Sequence, residues 1–198
     1  ENKNSLKTLA AIQESIYSGK ILEAPCIVCD SRHNLIVDLG IIKGFIPRCE
    51  GAIGVSGGTT KDIALISRVN KPVCFVAEGF ATDARGKEYV LLSRRKAQER
   101  ALASYVSRLE SGDVIRARVT HLEQFGCFVD IGCGIPSLIP IDAISVSRIN
   151  HPSDRFSAGQ DIFAVVKSND GDRICLSHKE LLGTWLENAA EFGAGETV

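Results

Sequence analysis

The chain has 198 residues, of which 44% are hydrophobic and 6% aromatic, and its formal net charge at pH 7 is −1. This composition is too apolar for a disordered chain, contains no membrane-spanning run of about 18 apolar residues, and is not basic enough to indicate a nucleic-acid partner by charge alone. The N-terminal sequence ENKNSLKTLAAIQES lacks the apolar core of a signal peptide, so we expect a cytoplasmic protein of one or two domains. The seven cysteines follow no short regular spacing and are expected to be thiols.

The chain begins with a predicted helix over residues 5–17, where apolar residues recur at helical spacing. Ser5 is the expected N-cap of this helix and Gly19 its end. Short strands are expected in the following segment, residues 18–93. Within it, the glycine-rich stretch at 51–62 lacks the register of a phosphate-binding loop, and we interpret it as a long surface loop.

The second half begins with another predicted helix, over residues 94–109. Its inward-facing positions are expected to be Leu102, Tyr105, Val106 and Leu109. Five strands are then predicted, at 113–122, 125–131, 137–141, 161–168 and 173–177. The turn at 169–172 joins the last two strands as a hairpin, and a third helix is predicted over 178–191.

The two halves contain an internal repeat. HNLIVDLGIIKGFIP at 33–47 corresponds to FGCFVDIGCGIPSLIP at 125–140, and shorter matches flank this pair in the same order. The flanking matches are YSGKIL at 17–22 with ESGDVI at 110–115, and LLSRRK at 91–96 with CLSHKE at 175–180. The last four residues, GETV, resemble the start of a third copy, so we expect the chain to be part of a longer array. The expected domains are an N-terminal helix at 1–17, a degenerate barrel at 18–93, a linking helix at 94–110, a second barrel at 111–177, and a C-terminal helix with the start of a third repeat at 178–198.

Five short strands in about 70 residues predict a small closed barrel, so the expected fold class is mainly β, with tandem five-stranded OB-fold barrels and connecting helices. The second copy resembles the S-one (S1) RNA-binding domain in FGCFVDIG, in GQDI before a strand, and in RICLSHK at its end. The resemblance is strong over 111–182 and weak over 18–97, and the tandem arrangement is similar to that of the small-ribosomal-subunit members of this family in Gram-positive bacteria. It implies binding of single-stranded RNA or mRNA and an association with the small ribosomal subunit. We further expect a monomer without a cofactor.

The outer face of the second barrel is the expected RNA-binding surface. Strict alternation places Val129 inward and Phe128 on the opposite, solvent-facing side of its strand. The resemblance implies that aromatic rings on this strand stack on bases, and Phe125 and Phe128 occupy those positions. A bulge at Gly126 would turn both rings to one face. Alternatively, Phe128 could bend into the core or lie under the 94–109 helix.

Cationic residues are expected beside these rings, because cations interleaved with aromatics suit a phosphate backbone with splayed bases. Arg116 and Arg118 alternate with apolar residues and should face outward, although both could be ordinary solvated surface. The resemblance implies a cation at Arg173 as well. His121 and Lys179 complete the expected RNA-binding set of the second copy.

The first copy departs further from the family. At its stacking positions only His33, which stands at the place of Phe125, has a ring that could stack. Arg94 and Arg95 begin a basic run that could reach phosphates, although a solvated helix face is the plainer interpretation. We therefore expect weaker RNA binding in the first copy. The second copy also departs at one position, since Pro140 stands where the family often has a His.

No set of residues in the sequence indicates catalysis. Cys26-x-x-Cys29 lacks the spacing of a zinc site with the other cysteines, and its alignment with Val119 and Leu122 predicts two small buried residues and no metal. We therefore predict a non-enzymatic RNA-binding protein that acts with mRNA or the ribosome in translation. The alternative is a scaffold that docks a ribosomal protein or a ribonuclease and binds RNA weakly. An accessory role beside a catalytic domain outside this chain is a third interpretation.

Overall fold

The computed structural model describes residues 2–170 and 174–183, and the chain divides into two compact units at residues 103 and 104. Each unit contains one closed five-stranded β-barrel. The predicted fold class, tandem barrels with connecting helices, is therefore confirmed. Among the described residues, no helix has both the length and the apolar composition to cross a bilayer.

The first unit places its helices at the N-terminus, in the long connection before its fourth strand, and after its last strand. The elements are α1 (Asn2–Ser5), α2 (Leu9–Ser18), β1 (Ile21–Cys29), β2 (Leu35–Asp38), β3 (Lys43–Ile46), α3 (Ile63–Ile66), β4 (Pro72–Thr82), β5 (Glu88–Ser93) and α4 (Arg94–Ser104). The barrel has the order β1-β2-β3-β5-β4 and closes through the β1–β4 pair. Alternate residues of the strands, among them Leu22, Val37, Ile46, Phe75 and Leu92, fill a buried core. Val55 also belongs to this core, so the predicted surface loop at 51–62 is anchored to the barrel.

Helix α2 shows how local sequence fixes an element boundary. Thr8 is the N-cap, because its backbone is extended and its Oγ1 accepts a hydrogen bond from the Ala11 N–H at 3.1 Å. The prediction of Ser5 as N-cap is wrong, since Ser5 lies in the separate helical turn α1. Gly19 ends α2 as predicted, with φ of 60°, a left-handed conformation that glycine adopts without steric cost.

The second unit contains the second barrel and short 3-10 helices. Its strands are β6 (Val114–Glu123), β7 (Gly126–Asp130), β8 (Pro136–Pro140), β9 (Asp161–Asn169) and β10 (Ile174–Ser177). The 3-10 helices lie at Val106–Arg108, Ile141–Ala143, Pro152–Asp154 and Lys179–Leu182. The barrel order is β10-β8-β7-β6-β9, which matches the order of the first barrel strand for strand. All five strands lie where the sequence predicts them, to within about two residues.

Two predicted helices differ from the structure. The helix predicted over 94–109 ends at Ser104, and Tyr105, which we expected to face inward, is 42% exposed. The chain instead turns into a 3-10 helix, in which Val106 is buried as predicted. The helix predicted over 178–191 begins as a 3-10 helix at Lys179–Leu182, and its remainder, like part of the predicted 169–172 turn and the GETV segment, lies outside the described residues.

A bulge lies in β6 rather than at Gly126, where the sequence predicts it. Val119 pairs with Val129 and His121 with Phe128, so Thr120 is the extra residue of β6. The Thr120 hydroxyl donates a hydrogen bond to the Phe128 carbonyl at 3.1 Å, which ties the bulge to β7. The β7–β8 pairing is regular from Gly126 onward, so the prediction of a bulge at Gly126 is wrong.

Candidate nucleic-acid interface

A row of four outward side chains crosses the second barrel, one on each of four neighbouring strands. We name it the outer row, and it consists of His121 on β6, Phe128 on β7, Leu138 on β8 and Cys175 on β10, each the cross-strand partner of the next. Cross-strand partners share one face of a sheet, so these four side chains are neighbours on the barrel exterior. His121 and Cys175 at the two ends are exposed, while Phe128 and Leu138 are half-buried.

The residues beside the outer row explain why it points outward. Cys127 and Val129 flank Phe128 on β7, and both are completely buried in the barrel. Successive side chains of a strand point to opposite faces, so Phe128 cannot join them in the core. The alternative in which Phe128 bends into the core is therefore wrong.

Phe125 adds a second ring beside the outer row. It lies in the turn between β6 and β7 and is 55% exposed. Its carbonyl accepts a hydrogen bond from the Ile141 N–H at 3.0 Å, which ties the turn to the end of β8. The Phe125 and Phe128 ring centroids are 6.0 Å apart with an interplanar angle of 88°, an edge-to-face pair. The structure therefore brings together the two rings that the sequence singles out for stacking.

The predicted cations of the second barrel are placed unequally for phosphate contact. Arg118 Nε lies 3.9 Å from Asp161, so a carboxylate offsets this cation, and His121 Nε2 lies 2.9 Å from a carboxylate oxygen of Glu123. The Lys179 ammonium donates to the Asp142 carbonyl at 3.1 Å. Arg173 lies outside the described residues.

Arg116 is positioned differently from these cations. Its guanidinium carbon lies 5.6 Å from the ring centroid of Phe163, its cross-strand partner on β9. Phe163 is 51% exposed, and the sequence analysis missed it. The sequence pattern that predicts an outward residue was present, because Phe163 lies between the buried residues Ile162 and Ala164, as Phe128 lies between two buried neighbours. Leu138 shows the same alternation, since it lies between the buried residues Ser137 and Ile139, and it was not predicted either.

The first barrel carries a chemically different row at the corresponding strand positions. Its members are Val28 on β1, Ile36 on β2, Phe45 on β3 and Leu91 on β5, again successive cross-strand partners. The Phe45 ring packs edge-to-face against Tyr89, with centroids 5.6 Å apart. We name this set the apolar row. The expectation that only His33 could stack in the first copy is therefore incomplete, because Phe45 also lies on the outer face.

The first-copy residues predicted to contact RNA are held by other groups. His33 lies in the β1–β2 turn with φ of 61°, and its Nδ1 is 3.7 Å from a carboxylate oxygen of Asp62. Arg94 is only 3% exposed, and its Nη1 donates to the Gly51 carbonyl at 2.9 Å. The prediction that Arg94 could reach phosphates is wrong, because its guanidinium is buried inside the unit.

Arg95 belongs to a compact ionic network beside Arg94. Its Nη2 donates to Glu50 at 2.9 Å and its Nη1 to Glu99 at 2.6 Å. These hydrogen bonds raise the pKa of the Arg95 guanidinium above its ordinary value. Burial raises the pKa of Glu50, but hydrogen bonds from Arg95 and Ser93 outweigh it, so the net shift of the Glu50 pKa is downward. Arg95 is thus neutralised by two carboxylates and is poorly placed to serve a phosphate.

The cysteines form no metal site among residues 2–170 and 174–183, where no group of three or more potential ligands occurs. Cys26 is completely buried as predicted, whereas Cys29 is only partly buried. Burial raises the pKa of Cys26, and it raises the pKa of Cys127 to about 11. These two thiols therefore behave as small apolar core residues.

The closed five-stranded barrel places the second unit in the OB-fold class, whose members use exterior aromatic rings, such as the Phe125–Phe128 pair at the start of the second strand, to stack on bases. Residues 108–179 match the model of one family in this class, the S1 RNA binding domain. The second barrel belongs to the S1 RNA-binding domain family, and the resemblance found in the sequence is confirmed.

Relatives align over both units of the chain. The chain is 32% identical over 189 residues to the small ribosomal subunit protein bS1 of Staphylococcus haemolyticus, covering 92% of this chain and 45% of the relative. It is 32% identical over 197 residues to the bS1 homolog of Bacillus cereus, covering 96% and 48%. The chain thus spans about half the length of the curated relatives that it matches. The solution structure of GSP13 from Bacillus subtilis is similar over 46% of this chain and 66% of that one, with 19% identity and a TM-score of 0.36.

Proposed function

We propose that this chain is a non-catalytic protein that binds single-stranded RNA, including mRNA, on the outer row of its second barrel. In this proposal it acts as a cytoplasmic monomer with the small ribosomal subunit in translation. The observation that carries the proposal is the Phe125–Phe128 pair, two aromatic rings held together on the exterior of an S1 domain. The ribosomal relatives support the link to translation.

The energetics of the ring pair favour RNA as the ligand. Full exposure of a phenylalanine ring forgoes about 1.5–3 kcal/mol of burial, so Phe125, which is 55% exposed, and the half-buried Phe128 each forgo part of that energy unless a ligand covers them. Stacking one base on an aromatic ring contributes about 1–3 kcal/mol and tolerates any base. The edge-to-face arrangement presents the faces of Phe125 and Phe128 in different directions, so each ring is available to a different base.

The outer row also predicts how selective the binding is. Phe128 and Leu138 have no side-chain hydrogen-bonding group, and His121 already contacts Glu123. Recognition of base edges requires donors and acceptors at fixed positions. We therefore expect weak sequence preference in this barrel.

Fluorescence anisotropy with a labelled single-stranded RNA tests the proposal. Phe125→Ala and Phe128→Ala should each weaken binding of an oligomer of about twelve nucleotides by about fivefold or more, the equivalent of ~1 kcal/mol, without changing the salt slope. Tyr17→Ala is the matched control, because Tyr17 is an 82% exposed aromatic in the first unit and its loss should leave affinity unchanged. If both phenylalanine variants are folded and bind the RNA with the affinity of the wild type, the outer row is ruled out as the RNA site.

A second function, docking of a protein partner, is favoured for the first barrel by one observation. The apolar row contains only Val28, Ile36, Phe45 and Leu91, and it carries no cation. A surface of this composition suits an apolar protein contact better than a phosphate backbone. A matched pair of pull-downs from ribosomal extracts, with Val28→Lys and Phe128→Ala proteins, would separate the two functions, because only the first substitution should release a protein partner.

A further inference from the structure

The second barrel carries another exposed aromatic on a face that the outer row does not include. Phe163 projects from β9 and is 51% exposed, a value close to that of Phe125. Its cross-strand partner is Arg116 on β6, whose guanidinium carbon lies 5.6 Å from the ring centroid. Val114 and Val165, the next outward pair along the same two strands, extend this surface. We name these four residues the β6–β9 face.

The backbone of Phe163 is held on three sides. His178 Nδ1 donates a hydrogen bond to the Phe163 carbonyl at 2.8 Å, and β9 is paired with β6 on one side and β10 on the other. A ring on such a strand has only two side-chain torsions left to order when a ligand covers it. Phe163 therefore combines an exposed ring with a fixed backbone position.

The charges around Phe163 leave one cation uncompensated. Arg118 faces Asp161 at 3.9 Å, and Lys167 contacts Glu180 at 2.8 Å. Arg116 forms no ion pair within the described part of the chain, and its guanidinium lies over the Phe163 ring. A guanidinium group offers a flat face on which a base can stack and N–H donors for a phosphate. An aromatic ring beside a free guanidinium thus complements a nucleotide in both shape and charge.

Strand β6 connects this face with the outer row. Arg116 and His121 lie five positions apart on β6, which at about 3.3 Å per residue is a span of roughly 16 Å. Arg118 lies between them, and its pair with Asp161 is an exposed surface contact that opens at little cost. An RNA segment of several nucleotides is needed to cover this distance. Such a length lies within the range of about 4–16 nucleotides that one OB fold binds.

We propose that the β6–β9 face is a second stacking site for single-stranded RNA, at which a base stacks against Phe163 or Arg116 and Arg116 contacts a phosphate. RNA bound at the outer row continues along β6 to this face. The inference rests on the proposed function of the outer row. It predicts how affinity depends on RNA length, because a short oligomer fills the outer row alone and a longer one reaches both sites.

The test compares oligouridines of about four and about twelve nucleotides by fluorescence anisotropy. Phe163→Ala and Arg116→Ala should weaken binding of the longer RNA by about fivefold or more and leave the shorter RNA unaffected, whereas Phe128→Ala should weaken both. Phe163→Tyr should retain the affinity for the longer RNA, and Phe163→Leu should not, because leucine keeps an apolar surface without a ring. Thermal melting of each variant verifies that the barrel is folded.

The outcomes separate this inference from the proposed function. If Phe128→Ala loses affinity and Phe163→Ala does not, the outer row binds RNA and the β6–β9 face does not. If Phe163→Leu binds the longer RNA as well as Phe163→Tyr does, the face makes an apolar contact, of the kind a protein partner would use, and the stacking site is refuted. If the wild type binds neither RNA, both proposals are refuted.

Discussion

Replacing Gly126 by alanine should destabilise the second barrel where β7 meets β8. A Cβ atom at this position would lie 2.4 Å from the Ile139 carbonyl oxygen and 3.0 Å from the Pro140 Cα. Both atoms belong to the backbone of β8, so no side-chain rotation can relieve the overlap. Ordinary contacts of a Cβ begin near 3.4 Å, so the two strands must move apart by about 1 Å.

The cost of this movement follows from the packing it disturbs. Residues 126–130 pair with residues 136–140 in a continuous register, so displacing Gly126 strains the hydrogen bonds on both sides of the outer row. Overpacking of a well-packed region costs about 1–3 kcal/mol, and contact with backbone places Gly126→Ala at the upper end, about 2–3 kcal/mol. The Phe125–Phe128 pair flanks the displaced residue, so RNA affinity should fall together with stability.

Urea denaturation followed by circular dichroism measures the effect. Gly79→Ala is the control, since Gly79 also lies in a strand but a Cβ there meets nothing within 4 Å. Its free energy of unfolding should stay within about 0.5 kcal/mol of the wild type. Equal free energies of unfolding for the Gly126→Ala and Gly79→Ala variants would refute the argument that β7 and β8 approach too closely at Gly126 to admit a Cβ atom.

Two further predictions concern a carboxylate and two thiols. The folded-state pKa of Glu50 lies below its ordinary value of 4.5, so its stabilisation is fully present above that pH and is lost as the pH falls through the lower, folded-state value. Between about pH 6 and pH 3, urea denaturation should show the wild type losing more stability than Glu50→Gln, and equal losses would contradict the role of the Arg95 and Ser93 hydrogen bonds. Single-stranded RNA should slow alkylation of Cys175 at the end of the outer row and leave the exposed Cys49 of the first unit unaffected. Peptide mass spectrometry follows both thiols, and an unchanged Cys175 rate with bound RNA would show that RNA lies elsewhere.

Alternation along strands made much of the second barrel predictable. The buried residues Val129 and Ile131 fix the outward direction of Phe128 by sequence spacing alone, because a strand has a period of two. The same rule was available for Phe163, which lies between two inward residues of β9. The outward direction of Phe163 was therefore predictable from spacing, although the family pattern places its aromatic residues on the second strand.

Contacts between residues distant in sequence were not predictable in this way. Arg94 and Arg95 are adjacent in a basic run, yet one is buried against the Gly51 carbonyl and the other is paired with two carboxylates. Periodicity gives the face of a residue but not the partner that the tertiary fold brings to it. The bulge at Thr120 is a similar case, because its position depends on the pairing of two strands and not on either strand alone.

The apolar row and the outer row occupy the same strand positions in the two barrels but carry a different residue at each of the four positions. Both rows are made of outward positions, while inward positions such as Val37 and Val129 remain alike and completely buried. The residues that pack the barrel core and the residues that would contact a ligand thus occupy separate positions, which alternate along each strand. A duplicated barrel of this kind is modular, since a handful of outward substitutions can assign one copy to a new ligand while the interior of both copies stays unchanged.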